Sequence, residues 1–84
     1  MEKLSELPNI GKELERQLNE IDVITYDQLK ILGAEKTWLM IRAIDPSACI
    51  HRLYALEGAI CGVKKSLLPQ DRKEELKLFY SQNK

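Results

Sequence analysis

Ile10, Leu14, Leu18 and Ile21 recur at intervals of three and four residues, the spacing of one face of an α-helix. They predict a first full helix from about Gly11 to Ile21, preceded by a short lead-in turn around Leu4 to Leu7 that ends at Pro8. Thr25 is a good N-cap for the next helix, because its hydroxyl can accept an otherwise orphaned backbone N–H. Tyr26, Leu29 and Leu32 line one side of that second helix, and Gly33 is placed to stop it. A third helix is expected from about Ala34 to Ile44. Asp45-Pro46 then reads as a break and restart, with the aspartate as cap and the proline at a first helical position.

The fourth segment, about Pro46 to Val63, is predicted to be the buried central helix. Cys49, Leu53, Leu56, Ile60 and Val63 form a stripe at alternating four- and three-residue spacing. On the other side His51, Ala55, Gly58 and Gly62 form a line of mostly small residues, with Ala59 beside it. A helix that is apolar nearly all round is a buried one. Gly58 costs roughly 1 kcal/mol of helix propensity relative to alanine, and close packing of another backbone would compensate. Pro69 opens a last helix whose apolar face carries Leu76, Phe79 and Tyr80, and Ser81 to Lys84 are expected to fray. No strand, linker, repeat or low-complexity stretch is read. The expected architecture is all-α, a compact five-helix domain over residues 1–84.

With 84 residues a chain is long enough for one domain and too short for two. Most of its apolar residues are needed for one core, leaving little to wall a deep substrate cavity. Thirteen basic and thirteen acidic side chains give a formal net charge of zero. That balance argues against a strong non-specific grip on nucleic acid, which needs a basic surface to release counterions; it leaves room for a local basic patch. No apolar run approaches the roughly 20 residues that span a bilayer, and the first ten residues lack the apolar core of a secretion signal. A cytoplasmic protein is expected. On a continuous helix Cys49 and Cys61 would stand roughly 18 Å apart, too far for a disulfide, so both are expected to be free thiols.

The segment LSELPNIGKELERQLNEIDVITYDQL, from Leu4 to Leu29, is similar to a helix-hairpin-helix unit, in which a tight turn of the form h-x-G-h-G joins two helices. Here the turn reads Leu7-Pro8-Asn9-Ile10-Gly11. In such units the apolar turn residue anchors the turn to the core, and the start of the following helix offers N–H groups and a positive dipole end to a phosphate. Asn9 stands in place of the first glycine, and asparagine tolerates a left-handed backbone better than most residues. Asp22 stands where such sequences often carry another glycine. Lys12 and Arg16 favour phosphate, whereas Glu13 and Glu15 oppose it.

Downstream, LGAEKTWLMIRAIDPSACIHRLYALEGAI, from Leu32 to Ile60, resembles the signature stretch of the TfoX C-terminal domain. With the LPNIG turn before it and ELKLFY after it, the resemblance covers nearly the whole chain. It implies a helical fold of the helix-hairpin-helix or SAM-like kind and an association with regulating natural competence, the bacterial uptake of DNA. Full-length regulators of that family carry a separate N-terminal domain. This sequence starts at the C-terminal module, so a stand-alone copy is expected.

Among residues able to carry chemistry, His51 is the only histidine. A general base needs a substrate within reach and a metal site needs further ligands, and neither arrangement is evident. His51 is therefore read as a packed or half-exposed structural residue. Cys49 lies in the main apolar stripe and is read as core. Arg42, Asp45, Arg52 and Glu57 are the few charges of an apolar stretch and are expected to form an internal network tying the third and fourth helices. Trp38, with Leu39 and Ile41, is read as core. Lys64-Lys65 suit a helix C-terminus, and Arg72-Lys73 with Lys77 share a helix with Asp71, Glu74 and Glu75, as on a solvated face.

No phosphate loop, dinucleotide fingerprint, metal-ligand set or nucleophile-base pair is present. A non-catalytic module with no cofactor, metal or small-molecule substrate is expected. Two readings of its partner stand side by side. In one, Asn9, Ile10, Gly11 and Lys12, with Arg16, touch a DNA backbone. In the other, the module self-associates or docks on a transcription-related protein.

Overall fold

The computed structural model describes residues 4–83. Among them are five α-helices: α1 Lys12–Glu20, α2 Tyr26–Leu32, α3 Ala34–Ile44, α4 Ile50–Cys61 and α5 Gln70–Asn83. Two 3-10 turns, Leu4–Glu6 and Lys65–Leu67, complete the described residues, and no strand occurs in them. The all-α, five-helix expectation holds.

The helix boundaries follow local chemistry. Thr25 and Gln28 form a reciprocal capping box at the start of α2, the Thr25 hydroxyl accepting the Gln28 N–H at 3.2 Å and the Gln28 side chain accepting the Thr25 N–H at 3.1 Å. Gly33, at φ 82°, ends α2 and starts α3 in one step. Asp22 turns the chain between α1 and α2 at φ 65°, a conformation that suits glycine and that Asp and Asn reach at lower cost than other residues. The Pro69 carbonyl accepts the Lys73 N–H at 3.0 Å, so α5 begins directly after the proline. The helix continues through Ser81 to Asn83, where fraying was expected; Lys84 lies outside the described residues.

α4 is shorter than its sequence pattern suggests. It starts at Ile50, not Pro46, because the Asp45 carboxylate does not cap it. That carboxylate instead accepts the Ser47 N–H and hydroxyl, closing a tight turn over Asp45 to Ser47. Cys49 becomes the N-cap residue and is exposed rather than core. Ala48 takes a buried place beside it. At the other end Gly62 adopts φ 75° and the Val63 N–H returns to the Gly58 carbonyl at 2.9 Å, closing the helix in a Schellman arrangement.

The core is built around α4, against which α3, α5 and α2 pack. Leu18, Leu29, Trp38, Ile41, Leu53, Leu56 and Leu76 are all fully enclosed, each contributing about 1.5–3 kcal/mol of apolar transfer free energy. Trp38 meets Phe79 and Tyr80 of α5 edge to face and donates its indole N–H to the Cys49 carbonyl at 3.2 Å. Leu39, expected in the core with it, is on the solvent side at 40% exposure. The Tyr26 hydroxyl donates to the Ile60 carbonyl at 2.6 Å, tying α2 to the end of α4. No helix among the described residues is long and apolar enough to cross a membrane.

Candidate functional site

Leu7 to Gly11 form the turn that leads into α1. Ile10 is buried at 4% exposure and anchors the turn to the core. Asn9 adopts φ 69°, the left-handed backbone that glycine would supply. Its side chain is engaged within the protein, with Nδ2 donating to the Val63 carbonyl at 2.9 Å and Oδ1 accepting the Lys65 N–H at 2.9 Å. Gly11 is the N-cap of α1 and no side chain caps the helix. The N–H groups of Lys12, Glu13 and Leu14 thus lack intrahelical partners, as at any helix start.

These residues open onto a shallow cleft of about 400 Å³, lined by Asn9 and the first turn of α1, by Cys49, His51, Arg52 and Ala55 of α4, and by Lys65. The start of α4 also lacks a side-chain cap. Two helix N-termini therefore contribute to one concavity, and both dipoles favour negative charge there. Among the described residues neither Lys12 nor Lys65 forms an ion pair. Glu13 is the one carboxylate in the lining; the Arg16 guanidinium bonds to it and holds its pKa below the usual carboxylate range. The cleft is cationic although the chain is neutral.

Arg16 lies outside this lining. It pairs along α1 with Glu13 and Glu20, with more than half of its side chain exposed. Glu15 is turned to the lead-in segment, where it accepts the Ser5 N–H at 3.0 Å. His51, expected to be packed or half-exposed, is exposed with Tyr54 edge-on beside it. Sequence reasoning did not join His51, Cys49, Arg52 or Lys65 to the hairpin. They lie about 40 to 55 positions away in the chain, and only the packing of α4 against the turn unites them.

The four charges expected in one network fall into three settings. Asp45 and Arg52 pair at 2.8 Å, and Gln17 of α1, 3% exposed, donates to the same Asp45 oxygen at 2.7 Å. Ser47, then Arg52 and Gln17, hold the Asp45 carboxyl far below its ordinary range. Arg42 instead lies over the Trp38 ring and donates to the Asn83 carbonyl at 3.1 Å. Glu57 pairs with Arg72 of α5 at 3.0 Å, and Arg72 also pairs with Glu35 of α3 at 2.7 Å. Arg72 is therefore the clamp joining three helices rather than part of a solvated face. Linear spacing could not reveal it, since its partners lie on two other helices.

The Cys61 thiol is not arranged for nucleophilic work. Burial first, then the neighbouring Glu57 carboxylate, pushes the Cys61 thiol pKa up, away from the reactive thiolate. Among the described residues no group of three or more His, Cys, Asp and Glu side chains is placed to hold a metal ion.

A second depression, about 250 Å³, is lined by Ile21, Asp22, Val23, Gln28, Ile31 and Leu32. Ile31 is 85% exposed at its edge.

Comparison with known proteins agrees with the fold. Protein Sxy of Escherichia coli (strain K12) is 39% identical over 75 residues, which are 89% of this chain and 36% of Sxy. The chain thus spans about a third of that curated relative. A crystal structure of an uncharacterized protein from Listeria monocytogenes, in a triclinic form, is 43% identical with a TM-score of 0.95, covering 96% of this chain and 92% of that one. A tetragonal crystal structure of a Listeria monocytogenes protein of unknown function is 43% identical with a TM-score of 0.94, covering 96% and 99%. The family model described as the TfoX C-terminal domain matches residues 1–80, and the chain belongs to that family.

Proposed function

We propose that this chain is a non-catalytic regulatory binding module that contacts the phosphate backbone of DNA through the cleft at the start of α1. The observation that carries the reading is the uncapped α1 N-terminus flanked by Lys12 and Lys65, two cations without ion-pair partners among the described residues. Helix N-termini bind phosphate through oriented N–H groups and the dipole, and two lysines free of ion pairs add positive charge beside this one. Phosphate contacts position a protein without reading sequence, which suits a module that supports regulation alongside another component. The competence role implied by the family resemblance is consistent with such a contact.

The test is fluorescence anisotropy with labelled duplex DNA at about 50 and 200 mM salt. Two phosphate contacts predict a log–log salt slope of about −2, and Lys12→Glu should remove binding while leaving thermal stability nearly unchanged. Salt-insensitive binding, or no binding at tens of micromolar protein, overturns the reading.

Ile31, 85% exposed at the second depression, and Ile24, 60% exposed, support the alternative of a protein-docking module. In that case the same titration stays flat. Sedimentation then shows self-association or complex formation that Ile31→Glu abolishes and Lys12→Glu leaves intact.

A further inference from the structure

The Asn9 side chain bridges two segments far apart in sequence. Its backbone belongs to the hairpin turn, its Nδ2 holds the Val63 carbonyl, and its Oδ1 holds the Lys65 N–H, both at 2.9 Å. Asn9 lines the 400 Å³ cleft and also a neighbouring groove of about 800 Å³, which runs along Pro8, Val63, Lys64 and Leu67. Lys65 lines both as well.

The approach of Asn9 needs a glycine beneath it. A Cβ on Gly58 would stand 2.4 Å from Asn9 Nδ2, 2.7 Å from the Val63 carbonyl oxygen and 3.2 Å from the Lys65 nitrogen. The same three groups that make the bridge therefore occupy the space a side chain at position 58 would fill.

We infer that Asn9 is a positioning residue that joins two basic segments into one phosphate-binding cleft, holding Lys65 of the α4–α5 connection beside Lys12 of the hairpin, with Gly58 leaving the room for it. The inference rests on the phosphate reading above and deepens it. In Asn9, Oδ1 and one of the two Nδ2 N–H groups are committed to the backbone. Its contribution is the placement of Lys65. Without the bridge, Lys65 sits on a connection free to move away from the α1 N-terminus, and the cleft keeps only Lys12.

The experiment is a double-mutant cycle on duplex DNA binding, measured at about 50 and 200 mM salt, with Asn9→Gly, Lys65→Ala and both together. Glycine at position 9 keeps the φ of 69° without strain, so the side-chain bridge alone is removed. Far-UV circular dichroism confirms that each variant is folded, and amide exchange at Lys65 should accelerate in Asn9→Gly because its acceptor is gone.

Losing one phosphate contact lowers the salt slope by about 0.9, which reduces the affinity ratio between the two salt concentrations about 3.5-fold. Lys65→Ala and Asn9→Gly should each produce that reduction, and the double variant no more than either alone. If the two reductions add, or if Asn9→Gly leaves the slope at the wild-type value, the positioning role is overturned. If Lys65→Ala has no effect while Lys12→Glu abolishes binding, the inference falls and the phosphate reading stands. If the wild-type protein binds no DNA, both fall together.

Discussion

An alanine replacing a glycine inside a helix normally stabilises it, by about 1 kcal/mol. Gly58→Ala should do the opposite here. The new Cβ meets the Val63 carbonyl oxygen at 2.7 Å and Asn9 Nδ2 at 2.4 Å, both inside the distance that real Cβ atoms keep. Asn9 could swing aside, at the loss of its two hydrogen bonds, about 1 kcal/mol each. Val63 has less freedom, because its own N–H closes α4 on the Gly58 carbonyl. Overpacking of this kind costs about 1–3 kcal/mol. After subtracting the propensity gain of about 1 kcal/mol from the lost hydrogen bonds and the overpacking, a net loss of about 2–4 kcal/mol remains. For a chain this short, that lowers the thermal midpoint by roughly 10–30 °C and the urea midpoint by about 2–3 M. Thermal and urea denaturation followed by circular dichroism would read both. In Asn9→Gly/Gly58→Ala the Asn9 obstacle is gone, so the two changes should cost clearly less than their sum. A midpoint that rises in Gly58→Ala, as in an unobstructed helix, would refute the close approach and with it the role assigned to the bridge.

Two further outcomes follow from the charges. Arg72→Ala should cost about 1–3 kcal/mol in urea denaturation, because it strips the partner from Glu57, whose side chain is only 12% exposed; Arg16→Ala, which breaks pairs in open solvent, should leave the midpoint unmoved. Acid should destabilise the fold through two carboxylates held ionised in the native state. Ser47, Arg52 and Gln17 lower the Asp45 pKa from its ordinary 3.8, and Arg72 lowers that of Glu35 from 4.5. The unfolded chain then binds more protons below these ordinary values, so their stabilisation is complete above about pH 5 and is lost as pH falls below 4. A denaturation midpoint flat from pH 5 down to pH 3 would contradict those pairings.

Most of the fold was legible because its boundaries are set by neighbours in the chain. Thr25 with Gln28, Gly33 and Pro69 each act within four residues, and each marks a helix end where expected. The start of α4 was misread for the complementary reason. Asp45-Pro46 has the local form of a cap and first turn, but the Asp45 carboxylate is taken up by Ser47 and by Arg52 and Gln17 from two helices. Extending the helix back to Pro46 then carried Cys49 onto the buried stripe, whereas the real start leaves it exposed. Arg72 escaped notice similarly, since its i,i+3 and i,i+4 neighbours describe a solvated face and its strongest partners come from α3 and α4. At the candidate site, the hairpin residues from Asn9 to Lys12 were visible in the sequence. Lys65 and the first turn of α4 were not, because only tertiary packing brings them to the hairpin.

The bridge at Asn9 also bears on the order in which the chain folds. Its two bonds join residues separated by 54 and 56 positions, among the longest loops the chain closes. Closing such a loop is entropically unfavourable until other contacts have brought its ends together, so helix formation and the docking of α2 and α3 on α4 should come first. The cleft is then among the last features to assemble, and an intermediate with its helices in place but its hairpin undocked would lack it. Any ligand of the cleft would bind only the finished fold, and by mass action would stabilise it against undocking of the hairpin as well as against unfolding of the whole.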